Sequence, residues 1–219
     1  MTRLLKRVAS RLPWSSQLLL RRMWYRVLIR SNRFDPGEPE FWKIGEWVRR
    51  GDWVLDVGAN IGSYTREFSR AVGPDGRVVA LEPVPVTFQL LCRHVNDLQD
   101  NVTLLNVAAS DRSGIVEMNV PRLGSGLANL YQSSIAKNGS IKVLTIPLDA
   151  LSVAEPIRLI KVDVEGHELN VLRGAIQLIK RDRPILILEG DRESFAELLT
   201  PMGYKRIHTS GSPNVVYVP

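Results

Sequence analysis

A chain of 219 residues of which 44% are hydrophobic can bury one sizeable core, so a single domain with an appendage is expected. Its one cysteine, Cys92, excludes an internal disulfide framework and a Cys-based zinc cluster; in LLCRHV it reads as a small packing residue on a helix, suited to a reducing compartment. The net charge of +6 is concentrated at one end: residues 1–33 hold nine basic residues and no acid, leaving 20 basic against 23 acidic residues in a mildly acidic body.

The predicted organisation is a basic helical arm over 1–33 and a globular domain over 34–219. In the arm, Arg3, Arg7 and Arg11 recur beside Leu4, Leu5, Val8 and Leu12, and Arg22, Arg26 and Arg30 beside Leu20, Met23, Trp24, Val27 and Leu28. This is basic amphipathic spacing, twice, broken at Pro13. The apolar runs are shorter than the roughly 18–20 residues of a membrane span, and no apolar segment is followed by a small-residue cleavage site. Neither a spanning helix nor a cleaved signal peptide is expected. Three readings stay open: peripheral contact with anionic membrane from the cytoplasmic side, a helical cap on the domain's core with solvated arginines, or contact with nucleic acid or a protein partner.

From Phe34 onward strand and helix signals alternate. PGEPEFWKIGEWVRRGD predicts a turn and a helix, WVLDVG a strand, SYTREFSRAV a helix, RVVALEP a strand, VTFQLLCRHVNDL a helix and VTLLNVAAS a strand. GIVEMNV and IKVLTIPLDAL predict strands flanking a polar Gly/Ser-rich loop from about Pro121 to Ser140. IRLIKVDVE is then a strand, HELNVLRGAIQLIKRD one helix, PILILEG a strand, ESFAELLTPMG a helix, and YKRIHT and NVVYVP two short strands.

Repeated strand, helix, strand with short connections forces parallel pairing, and the apolar strands suit a sheet covered on both faces. The last two strands, joined through SGSPN, should pair antiparallel as an edge hairpin. The fold class is therefore α/β, doubly wound and mostly parallel, and its ligand site should lie beyond the carboxyl ends of the strands.

VLDVGANIGSYT puts Gly58 and Gly62 there, between a strand and a helix. A dinucleotide fingerprint needs Gly-x-Gly-x-x-Gly, but Asn60 and Ser63 occupy its second and third glycine positions, and no Gly-Lys-Ser/Thr follows for a phosphate loop. What stands out instead are Asp56, two residues ahead of the first glycine, and Glu82, before Pro83 at the next strand tip, where a carboxylate can accept both hydrogen bonds of a ribose diol. Acids around the loop suit a positively charged ligand. S-adenosylmethionine has an ammonium, a sulfonium and a ribose, and no phosphate.

LDVGANIGSYT, VVALEPVPVTFQLL, NVAASDRSG, LIKVDVEGHELNVLRGA and PILILEGD together resemble the FkbM family of S-adenosylmethionine-dependent methyltransferases, from about Gly51 to Val218. The resemblance implies a seven-stranded Rossmann-like sheet and O-methylation of a sugar, polyketide or other secondary-metabolite hydroxyl. It also implies that Asp56, Gly58, Asn60 and Gly62 form the loop at the cofactor's methionine side. Glu82, with Pro83 beside it, would hold the ribose, and Ala109, Ser110 and Asp111 would lie near the adenine. Asp163, Glu165 and Gly166 carry the signature after the fourth strand of the family's sheet, and His167 falls where family members differ.

Methyl transfer to a neutral alcohol also requires loss of a proton. DVEGHE supplies Asp163, Glu165, His167 and Glu168 at the same mouth, and Glu189 ends the next strand. By strand alternation Asp163 and Glu165 share a face and Val164 points away. Asp163 is the leading candidate for general base or substrate orienter and also borders the cofactor; a carboxylate there could instead hold a divalent metal, although no dedicated metal set is expected. Glu165 and Glu168 could cap the following helix, the reading favoured for Glu168, and His167 could start that helix or act as base. Glu189 is a candidate substrate contact. The expected acceptor is a small molecule, sugar or glycolipid. The alternatives are a nucleic-acid methyltransferase recruited by the arm, disfavoured by the acidic body and the absence of an Asn/Asp-Pro-Pro-aromatic motif, and a binding module that has lost catalysis.

Overall fold

The computed structural model describes residues 37–96, 98, 100–120, 133–208 and 210–219, together with Ser16. The two arm helices expected within residues 1–33 lie outside the described residues, as does most of the polar loop, residues 121–132. Eleven strands are described: β1 (Trp53–Val57), β2 (Arg77–Leu81), β3 (Val102–Leu105), β4 (Ala108–Ala109), β5 (Gly114–Asn119), β6 (Ser134–Ile135), β7 (Ile141–Ile146), β8 (Ile157–Val162), β9 (Ile185–Glu189), β10 (Lys205–His208) and β11 (Asn214–Val218). Seven of them form the main sheet in the order β10-β11-β9-β8-β1-β2-β3, and β11 runs antiparallel to both its neighbours. This is the expected doubly wound sheet, with its order reversing beside β1.

The helices are α1 (Ile44–Trp47), α2 (Ser63–Val72), α3 (Pro85–Val95), α4 (Glu168–Arg173), α5 (Ile176–Asp182) and α6 (Glu193–Leu199). Strand alternation sorts the core into two layers. Val54, Val78, Leu159, Ile187 and Val216 face α2 and the segment before β1, meeting Tyr64, Phe68, Val72, Phe41 and Ile44. Leu55, Val57, Leu81, Ile160, Val162, Leu186, Leu188 and Tyr217 face Val171, Leu172, Ile179 and Phe195 on the other side. Tyr64, Thr65, Phe68, Ser69 and Val72 form the buried stripe of α2 at helical spacing. Asn101 seals that helix's far end, its side-chain amide donating to the carbonyls of Ser69 and Gly73 at 2.9 and 2.8 Å.

The C-terminal hairpin lies at the edge of the sheet as expected, with β10 outermost and β11 between it and β9; Val215, Val216 and Tyr217 are buried whereas Lys205, Arg206 and Ile207 are exposed. Three details differ from the sequence expectation. VTLLNVAAS is two strands in different sheets, parted at Asn106, whose side-chain amide donates to the Glu82 and Pro83 carbonyls at 2.8 and 3.0 Å. The second sheet, ordered β4-β7-β5-β6, packs Met118 and Val143 against Val84. IKVLTIPLDAL is β7 followed by a 3-10 turn, Leu148–Leu151.

The third difference is that HELNVLRGAIQLIKRD is two helices, α4 and α5, interrupted at Gly174 and Ala175. A Cβ on Gly174 would stand 1.9 Å from the Ser110 carbonyl oxygen, so the chain passes here only as glycine. Gly174→Ala is expected to cost about 1–3 kcal/mol through backbone displacement, lowering the melting temperature by roughly 2–4 °C per kcal/mol in a chain of this size. An unchanged thermal melt would show that the β4 segment yields freely. Among the described residues no helix is long and apolar enough to cross a membrane.

Candidate active site

An open cleft of about 230 Å³ lies at the carboxyl ends of β1, β2, β8 and β9, roofed by Met118 and Ile135 of the small sheet. The β1 loop forms its floor. The Gly58 and Ala59 amides both donate to the Leu81 carbonyl, so the loop is folded over the tip of β2. Gly58 has φ +81°, and a Cβ there would meet the Asp163 carbonyl oxygen at 1.8 Å. Its glycine is therefore dictated by the approach of the β8 tip as well as by the positive φ, a sufficient reason without any ligand.

Glu82 follows β2 and lines the cleft. Its Oε2 accepts the Asn60 amide at 3.0 Å and its Oε1 the Val84 amide at 2.9 Å, so both oxygens are fixed in direction by the backbone. Each keeps a further lone pair. Burial pushes its pKa up to about 7, against the pull of those two amides.

At the tip of β8, Asp163 follows a fully buried lysine. Lys161, two residues earlier on the same strand face, donates from Nζ to Asp163 Oδ2 at 2.7 Å and lies 4.4 Å from the centre of the Tyr64 ring. Burial works against the Lys161 ammonium, but Asp163, Asp56 and Glu38 outweigh it and hold the group protonated. Burial also opposes the Asp163 carboxylate, yet Lys161 and a hydrogen bond from Glu189 keep its pKa below the ordinary range. Glu189 takes the opposite direction: burial, then the charges of Asp163 and Glu165, push it up to about 8. The two acids therefore share a proton that resides on Glu189 near neutral pH. Glu165 is also raised, by burial and then by Asp163 and Glu168.

Of the candidate residues, Gly58, Asn60, Glu82, Pro83, Ala109, Asp163, Glu165, His167 and Glu189 line the cleft together. Asp56, Gly62, Ser110 and Asp111 are not among the lining residues. Asp56 shares a strand face with Val54, so it turns beneath α2, where the Thr65 hydroxyl donates to it at 2.6 Å, and burial raises its pKa. Gly62 lies against Leu91 of α3. Ser110 lies 2.9 Å from His167 Nε2 and donates to Asp111 at 3.1 Å, so this trio joins β4 to the start of α4 and orients the His167 ring. Burial lowers the His167 pKa, leaving the ring neutral at pH 7.

Val164 lines the cleft beside Asp163 and Glu165 rather than pointing away. Strand alternation fails there because β8 ends at Val162 and Glu165 turns to φ +54°. Glu168 does not cap the helix it begins: fully buried, it accepts the Gly166 amide of the preceding turn at 2.9 Å and pairs with Arg192 at 3.0 Å, clamping the β8 tip instead. Sequence reasoning missed Lys161, Glu38 and Met118. For Lys161 a signal existed, a lysine inside an apolar strand two residues before an aspartate. Glu38 and Met118 carried none.

The arrangement offers a carboxylate able to take two hydroxyl donors at β2, an ionised and a protonated acid at β8 and β9, and a concave floor between. That set fits S-adenosylmethionine, with its ribose and positive charges, and does not suit a phosphate. Among the described residues no three His, Cys, Asp or Glu side chains are grouped to hold a metal ion.

The family model described as the methyltransferase FkbM domain matches residues 56–205. The chain is 33% identical over 133 residues to the hexuronic acid methyltransferase AglP of Haloferax volcanii, an alignment covering 59% of this chain and 52% of that protein. It is 29% identical over 160 residues to the 2-O-methyltransferase NoeI of Sinorhizobium fredii, covering 65% of each. The chain thus spans between about half and two thirds of the length of these relatives. In fold it is similar to the methyltransferase FkbM from Methylobacillus flagellatus, with a TM-score of 0.54 at 18% identity, covering 82% of this chain and 50% of the other. With more than half of its length matched by that model and its cleft fitting the cofactor, the chain belongs to the methyltransferase FkbM domain family and has S-adenosylmethionine as its cofactor.

Proposed function

We propose that this protein methylates a hydroxyl group of a small molecule, sugar or glycolipid. The observation that carries the reading is the pair of acids at one mouth, Asp163 ionised and fixed by Lys161, Glu189 protonated beside it, facing the cleft that Glu82 borders. The names of two relatives, a hexuronic acid methyltransferase and a 2-O-methyltransferase, support a sugar-type hydroxyl. When bound, S-adenosylmethionine supplies an electrophilic methyl group. The chain's own task is to hold the acceptor oxygen in line and remove its proton. Lys161 fixes Asp163 Oδ2 and so the direction of the carboxylate, and the hydroxyl proton passes to the Asp163–Glu189 pair. Glu38, Glu82, Asp163, Glu165 and Glu189 all line the cleft, which disfavours a phosphate-bearing acceptor and with it the nucleic-acid alternative.

Mass spectrometry of host metabolites with and without the gene tests the activity: an acceptor gaining one methyl group is expected. Failure of the purified protein to form S-adenosylhomocysteine with any extract would overturn the reading. A pH profile tests the acid pair. Because the pKa of Glu189 is raised to about 8, its protonated form prevails below that pH and the stronger base, the doubly ionised pair, appears above it. The rate constant kcat/KM should therefore climb as pH rises through about 8, and Glu189→Gln should abolish that limb. A limb unchanged in Glu189→Gln would assign the titration to another group.

A further inference from the structure

Glu38 lies ahead of the segment that the family model matches, yet it lines the cleft. Its Oε2 accepts the Tyr64 hydroxyl at 2.6 Å and the Asn214 side-chain amide at 2.8 Å. Tyr64 belongs to the first turn of α2 and Asn214 to the first residue of β11, so two elements of the main fold hold this carboxylate at the cleft wall. Asn214 is paired with Glu189 across the β9–β11 ladder. Glu38 therefore stands on the β9 side of the cleft, Glu82 on the β2 side, and the Gly58 loop between them.

The second oxygen of this half-buried, anchored carboxylate takes no hydrogen bond given by the described residues, so it is available to a ligand in the cleft that the residue lines. The charges around it ask for a cation. Glu38, Asp56 and Asp163 all act on the buried ammonium of Lys161, and Glu40, fully buried, faces Tyr64 from the same segment. A ligand stretching from Glu82 past Gly58 brings its far end to Glu38. In S-adenosylmethionine the end opposite the ribose is an α-amino acid, whose ammonium has three N–H donors to satisfy. We propose that Glu38 receives this α-ammonium group, so that a residue outside the family's matched segment completes the cofactor site. The proposal rests on S-adenosylmethionine being the cofactor.

The test is calorimetry on the full chain with two ligands, S-adenosylhomocysteine and its deamino analogue, in which hydrogen replaces the α-amino group. The wild-type protein should prefer S-adenosylhomocysteine by about tenfold or more, as expected for a hydrogen bond between charged partners. Glu38→Gln should lose that preference while binding the deamino analogue as well as wild type does. Equal weakening of both ligands would reveal a merely structural role and overturn the proposal, as would a wild-type protein that binds the two equally. If wild type binds neither ligand, the cofactor assignment itself fails and takes the proposal with it. Should Glu38→Gln not fold, Tyr64→Phe removes the hydroxyl that orients Glu38 and should narrow the preference; an undiminished preference there would count against the proposal.

Discussion

Asp163→Asn is expected to lower turnover by about 10²-fold or more while S-adenosylmethionine still binds. The substitution keeps the side chain's shape and keeps an oxygen for Lys161, which donates to the aspartate at 2.7 Å. It removes the negative charge that orients and deprotonates the acceptor, and it removes the partner that holds the shared proton on Glu189. With no charge at position 163, the pKa of Glu189 should fall from about 8 toward the ordinary carboxylate range. Residual activity should accordingly lose its rise near pH 8, a readout that simple destabilisation would not move. A chelator separates the metal alternative, since activity insensitive to chelation dismisses a divalent ion as the hydroxyl's activator. Turnover unaffected by Asp163→Asn would dismiss both the base and the metal roles of this carboxylate.

The frame of this site was legible in the sequence because local pattern and tertiary role agree there. SYTREFSRAV is helical from its apolar spacing, and the structure places α2 over the same ten residues, Ser63–Val72. The apolar runs that became β1, β2, β8 and β9 put Glu82, Asp163 and Glu189 at one edge simply because parallel strands deliver their carboxyl ends to one side. What escaped depends on distant contacts. At the break the Ser110 carbonyl, just after β4, lies 1.9 Å from where a Cβ on Gly174 would stand, a distant contact that helix periodicity does not register. Asp56 looked like a ligand-facing acid from its distance to Gly58. Its place in β1 opposite Lys161 of β8 sends it under Thr65 instead. Glu38 gains its position from Asn214, 176 residues away, a relation no local window contains.

Glu82→Ala is expected to weaken S-adenosylmethionine binding by about 1.5–3 kcal/mol for each hydrogen bond lost from the ribose hydroxyls to the charged carboxylate. Two such bonds place the loss at roughly 10²-fold or more. Because the same carboxylate accepts the Asn60 and Val84 amides, the variant also loosens the β1 and β2 tips, and affinity should be compared well below its melting temperature. Proton linkage gives a readout that loop loosening cannot imitate. In the free protein burial pushes the Glu82 pKa up to about 7, so a fraction of the molecules carries a proton there near neutral pH. Hydroxyl donors favour the ionised carboxylate and lower that pKa on binding. Binding near neutral pH should therefore release protons, and affinity should increase as pH rises through about 7 and level off above it. Calorimetry in two buffers of different ionisation enthalpy measures the release directly. Wild-type binding without proton release, or a folded Glu82→Ala that binds as tightly as wild type, would move the ribose away from Glu82 and leave the carboxylate as a brace between the first two strand tips.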